Sequence, residues 1–259
     1  MDFADNRGRK RHQVSLLLEE CDGFPMRELL SFLKKTGYLT DPRLESALME
    51  LDRRDFVSPE VADEAYSDRA LVSLASSGEI CSTSTQPSLL ISMIEELKLD
   101  EEDKVLDLGT GTGFCACLLG KTLKNGSVIS VETARTVASI ASENVRRYCL
   151  SNVRIVIADG RFGFKDEAPY DAIISTVALP GITVELFNQM KIGARSIIPI
   201  HRSYMNTPVF LFEKTDEVTL RAVIRTGAIF MVVKDSKPDP LYSDNKFSLE
   251  LRMGRFRKV

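Results

Sequence analysis

Histidine is scarce and cysteine unpatterned. The 259 residues include two histidines, His12 and His201, and five cysteines, Cys21, Cys81, Cys115, Cys117 and Cys149. No repeated metal-ligand spacing joins them, and Cys115 and Cys117 lack the two-residue gap of a C-x-x-C pair, so neither a zinc centre nor a redox motif is encoded. The expectation is reduced thiols and no metal. Neither sign of charge dominates: 34 Lys and Arg face 37 Asp and Glu, a net −3, which leaves no global field to hold a nucleic acid. Apolar runs such as 228–233 fall far short of the roughly 18 residues of a membrane span. The basic cluster at 7–11 is followed by a short apolar stretch, 14–18, that Glu19 and Glu20 interrupt before a secretory segment can form. A cytoplasmic chain without a membrane anchor is therefore expected. Hydrophobic residues at 44% and charged residues at 27% exclude a disordered or low-complexity polymer.

Residues 1–25 are polar and read as an extension or a short leading helix with no chemistry of its own. From Met26, MRELLSFLKKTG places Leu29, Leu30 and Leu33 at helical spacing and stops at Gly37. A second helix is expected over DPRLESALMELDRRDF, with Asp41 as N-cap, Pro42 in the first turn and Leu44, Leu48 and Leu51 on one face. From Lys104 the order becomes strand, glycine loop, helix, strand, helix, strand, the pattern of a parallel sheet covered on both faces. KVLDL, VRIVI, YDAIIST and ARSIIPI read as its strands, with helices over 133–150 and near 184–190. Val137, Ile140, Ala141, Val145 and Cys149 make the apolar stripe of the first of these helices. Further strands are expected at 209–212 and 222–233.

The informative stretch is VLDLGTGTG. Its glycines, Gly109, Gly111 and Gly113, are spaced two apart after a buried strand. The dinucleotide fingerprint G-x-G-x-x-G would need its third glycine at Phe114, so a pyrophosphate cradle is disfavoured. The next strand ends in Glu132, a carboxylate able to accept from both ribose hydroxyls of a nucleoside. The one after it ends in Asp159 followed by Gly160, an acid that can meet an adenine amino group with space beside it.

Asp107, the 109–113 loop, Glu132 and Asp159 together resemble the cofactor site of Rossmann-like, class I S-adenosylmethionine-dependent methyltransferases. The resemblance narrows with Asp41-Pro-Arg-Leu, Arg54-Asp-Phe-Val57-Ser-Pro59, Ala65-Tyr66-Ser-Asp68, Thr83-Ser-Thr85-Gln86-Pro87 and, downstream, Ala168-Pro-Tyr-Asp171 and Met190-Lys-Ile-Gly193. In that order, over about 26–200, they resemble the protein-L-isoaspartate O-methyltransferase family. The resemblance implies a doubly wound, mostly parallel seven-stranded sheet with helices on both faces and additional N-terminal helices. It divides the chain into an extension (1–25), N-terminal helices with the substrate loop (26–100), a cofactor-binding domain (101–235) and a basic tail (236–259).

The implied activity is methylation of the free carboxylate of isoaspartyl residues in damaged proteins. The implied cofactor contacts come from Thr83 and Gln86; from Asp107, Gly109, Thr110, Gly111, Thr112 and Gly113; and from Glu132, Thr133, Asp159 and Gly160. The family's loop reads Thr-Ile-Ser, its serine beside the transferring methyl. Here Thr85 takes the serine position, adding a methyl group and a stiff χ1, and Ser84 supplies the hydroxyl if the loop shifts by one residue. The family's Pro-Leu-Pro-Ile is replaced by Ala-Leu-Val-Ser after Arg69, and Ile200 and His201 replace its usual glycine after Pro199. Asp68 and Arg69 are open between a salt bridge and a backbone clamp, and His201 between a substrate contact and a solvated side chain. A protein or peptide carboxylate is the expected partner and nucleic acid is not. A homologue esterifying aspartate in a dedicated peptide, a transfer-RNA methyltransferase using the terminal basic clusters (7–11, with Arg252, Arg255, Arg257 and Lys258) and a non-catalytic cofactor binder stay open.

Overall fold

A computed structural model describes residues 26–203, 205–233, 237–239, 242 and 248–252. The expected extension, with His12 and Cys21, and the tail residues Arg255, Arg257 and Lys258 lie outside them. Helix α1 (26–35) turns Leu29, Leu30 and Leu33 inward, as its spacing predicts. Helix α2 (Pro42–Met49) starts where Asp41 accepts from Arg43 N and Pro42 occupies the first turn, and it buries Leu44, Ala47 and Leu48. It ends earlier than expected. Asp52 caps a separate 3-10 turn, Arg53–Phe56, because its carboxylate captures Arg54 N and so starts a new turn.

A hairpin not anticipated from the sequence follows, β1 (Leu71–Ser76) paired antiparallel with β2 (Glu79–Ser84). Leu71, Val72 and Ser73, in the segment that replaces the family's Pro-Leu-Pro-Ile, open β1. Helix α3 (Pro87–Leu97) then buries Leu90, Ile91, Met93, Ile94 and Leu97.

The main sheet is built from β3 (Lys104–Leu108), β4 (Ser127–Glu132), β5 (Val153–Ile157), β6 (Tyr170–Ser175), β7 (Met190–Pro199), β8 (Val209–Lys214), β9 (Thr219–Thr226) and β10 (Ser248–Arg252). Their spatial order is β10-β9-β8-β7-β6-β3-β4-β5. The five strands from β7 to β5 run parallel and β8, β9 and β10 antiparallel. The doubly wound class is as expected, with one edge strand more than seven, drawn from the region read as a tail. The strand expected to run to residue 233 stops at Thr226. The chain then turns back, and Val232 bridges to Ala178 beyond the end of β6.

Helices α4 (Phe114–Thr122), α5 (Arg135–Arg147) and α6 (Val184–Asn188) complete the layers. Alternate residues of each strand serve opposite faces: Val105 joins the core under α1 to α4, while Leu106 and Leu108 join the one containing Leu186 and Phe187 of α6. Among the described residues no helix is long and apolar enough to cross a membrane.

Candidate active site

Ligands of open α/β sheets bind at the carboxyl ends of strands where the order reverses, here between β3 and β6. Gly109 follows β3 at φ +85, and a Cβ there would lie 2.6 Å from Val177 Cγ1. The position therefore admits only glycine, and the main chain comes close to the β6 end. Thr176 seals this junction: its N–H donates to Leu108 O (2.9 Å) and its hydroxyl to Gly109 O (2.7 Å). Gly113 serves packing instead, since a Cβ there would stand 3.3 Å from Ala141 of α5.

Glu132, at the end of β4, reaches over the loop. Its carboxylate accepts from Gly111 N (3.1 Å), Thr133 N (2.8 Å) and Ala134 N (3.0 Å), so the acid expected for the ribose also shapes the loop. Asp159, after β5, accepts from Arg161 Nε (3.0 Å) and Nη2 (2.6 Å), and this pairing holds its carboxyl below the usual range. Gly160 beside it leaves ordinary contact distance to Leu108.

Other expected cofactor residues turn inward. Asp107 is fully buried beneath the loop, where Oδ2 accepts from Ser130 Oγ (2.6 Å). Burial pushes its carboxyl up to about 6, opposed by Ser130 and the Cys115 thiol. Thr110 shares a 2.6 Å hydrogen bond with the same Ser130 hydroxyl, and the Thr112 hydroxyl donates to Phe56 O (2.7 Å). These three side chains brace the loop from below, and Thr110 and Thr112 also line the gap above it. Residue type at a strand end does not reveal these inward hydrogen bonds.

The 83–86 segment forms the opposite wall. The pleat of β2 buries Ser84 and exposes Thr83, and Ser84 Oγ accepts from Arg53 Nη2 at 3.4 Å. Thr83, Thr85 and Thr176 line two spaces at once: a narrow gap against Gly109 and Gly111, and an open cleft of about 890 Å³ bounded by α3, β9 and residues 226–231. Ser84 borders the gap but not the cleft. Gln86 donates to Asp68 Oδ2 (2.9 Å), facing the acceptor side. Asp68 proves to be a clamp, accepting from Ser88 N and Oγ at 2.8 Å each. Arg69 makes a surface pair with Glu64, and His201 does not line the cleft.

Arg53 was not singled out from the sequence. It is 1% exposed, and burial pulls its basicity down to about 10 against the favourable charge of Asp68. The one available signal was its place immediately before the motif Arg54-Asp-Phe-Val57-Ser-Pro59.

A family model described as protein-L-isoaspartate(D-aspartate) O-methyltransferase (PCMT) matches residues 25–237. The chain is 37% identical over 194 residues to the protein-L-isoaspartate O-methyltransferase of Thermotoga maritima, covering 74% of this chain and 61% of that protein's length. It is 36% identical over 191 residues to that of Geobacter metallireducens, covering 74% and 85%. A solved protein-L-isoaspartate O-methyltransferase superposes with a TM-score of 0.75 at 32% identity, covering 82% of this chain and 67% of that one. The fold is shared also with a Plasmodium falciparum beta-aspartate methyltransferase structure in complex with S-adenosyl-L-homocysteine, at a TM-score of 0.67 and 20% identity, covering 81% and 98%.

Proposed function

The chain belongs to the protein-L-isoaspartate O-methyltransferase family, and we propose on that premise that it methylates the free carboxylate of isoaspartyl residues in proteins. The observation that carries this reading is the double exposure of Thr83, Thr85 and Thr176, which border both the glycine-loop gap and the cleft. An acceptor lying in the cleft meets the cofactor side there.

The cofactor of the family is S-adenosylmethionine, which when bound supplies an electrophilic sulfonium methyl. The residues present fit it. The missing Cβ at Gly109, which would clash with Val177, lets the main chain of the loop close onto the β6 end, and Gly109, Thr110, Gly111 and Thr112 line the gap beside it. Glu132 Oε1 accepts from Thr133 N, Thr133 Oγ1 and Ala134 N, while Oε2 accepts from Gly111 N and, with about two lone-pair sites on each oxygen, keeps room for a further donor. Asp159, held ionised by Arg161, presents an acceptor at the end of β5. We assign Gly109, Gly111, Glu132, Thr133, Asp159 and Gly160 to direct contact, and Asp107, Thr110, Thr112 and Gly113 to support of the loop.

The chain contributes orientation rather than acid or base catalysis. A carboxyl with a reference pKa near about 4 is already ionised at neutral pH and needs no base to become a nucleophile. The Thr85 hydroxyl, and Thr83 beside it, are placed to donate to one acceptor oxygen so that the other points across the gap. The gain comes from alignment and exclusion of water. The protein partner and a cytoplasmic location belong to the same reading; such a compartment keeps the exposed thiols Cys81 and Cys149 reduced.

The test is incubation with methyl-labelled S-adenosylmethionine and matched isoaspartyl and aspartyl peptides, counting base-labile ester. Ester on the isoaspartyl peptide alone is expected. Cofactor binding with no ester on it overturns the assignment, and ester on the aspartyl peptide alone points to a dedicated substrate.

A further inference from the structure

The cleft wall that bears Thr85 is held from behind by a buried cation. Arg53 Nη1 donates to Ala65 O (2.8 Å) and Ser67 O (3.2 Å); Nη2 donates to Arg69 O (3.0 Å), Thr85 O (3.0 Å) and, more weakly, Ser84 Oγ (3.4 Å). None of these acceptors is a carboxylate. The guanidinium carbon also stands 5.9 Å from the ring centroid of Phe114, the first residue of α4 after the glycine loop. One side chain therefore touches the 65–69 segment, the acceptor loop and the start of the cofactor helix.

Burying a cation against neutral oxygens costs desolvation that the charge of nearby Asp68 offsets only in part. Here that cost secures a geometric result. Only the planar fork of a guanidinium can satisfy several carbonyls arriving from two segments, and an apolar residue would leave those carbonyls unpaired. Asp68, in the first of these segments, also ties to the second through Ser88 and Gln86. Thr85, at the junction of gap and cleft, is gripped at its own carbonyl.

We propose that Arg53 is a positioning residue for methyl transfer, fixing the main chain of Thr85 so that its hydroxyl meets the acceptor carboxylate. The inference rests on the proposed reaction for its kinetic consequence but not for its structural one. A displacement of about 1 Å at a reacting group can cost on the order of 100-fold in rate.

The test compares wild type, Arg53→Lys, Arg53→Gln, Thr85→Val and the double variant R53K/T85V, with saturating S-adenosylhomocysteine added in the folding and exchange measurements to hold the folded state. In R53K, kcat on an isoaspartyl peptide is expected to fall by about 100-fold, with KM and cofactor affinity kept within about threefold. T85V added to R53K is expected to cost less than T85V alone, because both act through one hydroxyl. Independently of activity, amide hydrogen exchange over 84–88 is expected to speed up at least about tenfold while β3 and β4 stay protected. A folded R53K with kcat within about threefold of wild type, or with unchanged exchange over 84–88, overturns the proposal. So does loss of a cooperative melt in both Arg53 variants, which would make the residue one of stability alone. A wild type inactive on isoaspartyl peptides refutes the reaction; the exchange data then still decide whether Arg53 fixes the loop.

Discussion

The two walls of the site are built by different means. On the cofactor wall, contacts are made by neighbours in sequence or in adjacent parallel strands: the 109–113 loop, Glu132 folded onto Gly111 N, and Asp159 beside Gly160. On the acceptor wall, Thr85 stands on a hairpin end held by Arg53 and Asp68 from separate segments, and the cleft is closed by residues beyond β9. The first wall depends on main-chain conformation and the second on side-chain bracing, so they should fail differently.

The sharpest break is expected at Gly109→Ala. A Cβ placed 2.6 Å from Val177 at φ +85 forces the loop away from the β6 end, and titration calorimetry with S-adenosylhomocysteine should show affinity lower by about 100-fold, or about 3 kcal/mol. Unchanged affinity would mean that the loop is not the cofactor wall. Thr85→Val keeps the shape and removes the hydroxyl. It should lower kcat by about tenfold to 100-fold while cofactor affinity stays within about threefold. A cofactor defect in this variant would erase the distinction between the walls.

The buried carboxyl of Asp107 gives a pH prediction. Its folded-state value, about 6, lies above the ordinary 3.8, so its contribution to stability is present below about pH 3.8 and is lost as pH rises through about 6. Asp107→Asn cannot ionise. Thermal melts should therefore show the variant gaining on wild type between pH 4 and 7, by at most about 3 kcal/mol. A difference independent of pH would show that Asp107 is not the group titrating beneath the loop. The smallest effect is expected for Arg161→Ala, which frees Asp159 from a half-exposed pair. The Asp159 carboxyl should rise toward the usual range, with cofactor affinity at neutral pH changed by no more than about fivefold. A larger loss would place Arg161 itself against the cofactor.

The cofactor wall was more legible than the acceptor wall. KVLDL and VRIVI occupy the strands read from their apolar runs, and glycine spacing with acids at successive strand ends indicated the site. The motif that marks Asp107, Thr110 and Thr112 as contact residues records residue type and not the inward hydrogen bonds each side chain makes. The hairpin escaped notice because LVSLASSGEICSTS has too little alternation to stand out, and its strands pair only with each other. The edge strand β10 lies in a segment whose charge made it resemble a tail.

The sequence by itself determined the parallel sheet, the glycine loop and the acids around it, because apolar periodicity, the requirement for glycine and a carboxylate at a strand end are local properties of the chain. Only the tertiary structure decided that Thr85 and Thr83, not Ser84, face the cleft, and that Arg53 stands behind them. The pleat of β2 depends on its pairing with β1, and the partners of Arg53 are mostly main-chain carbonyls, which every residue carries and no residue type reveals.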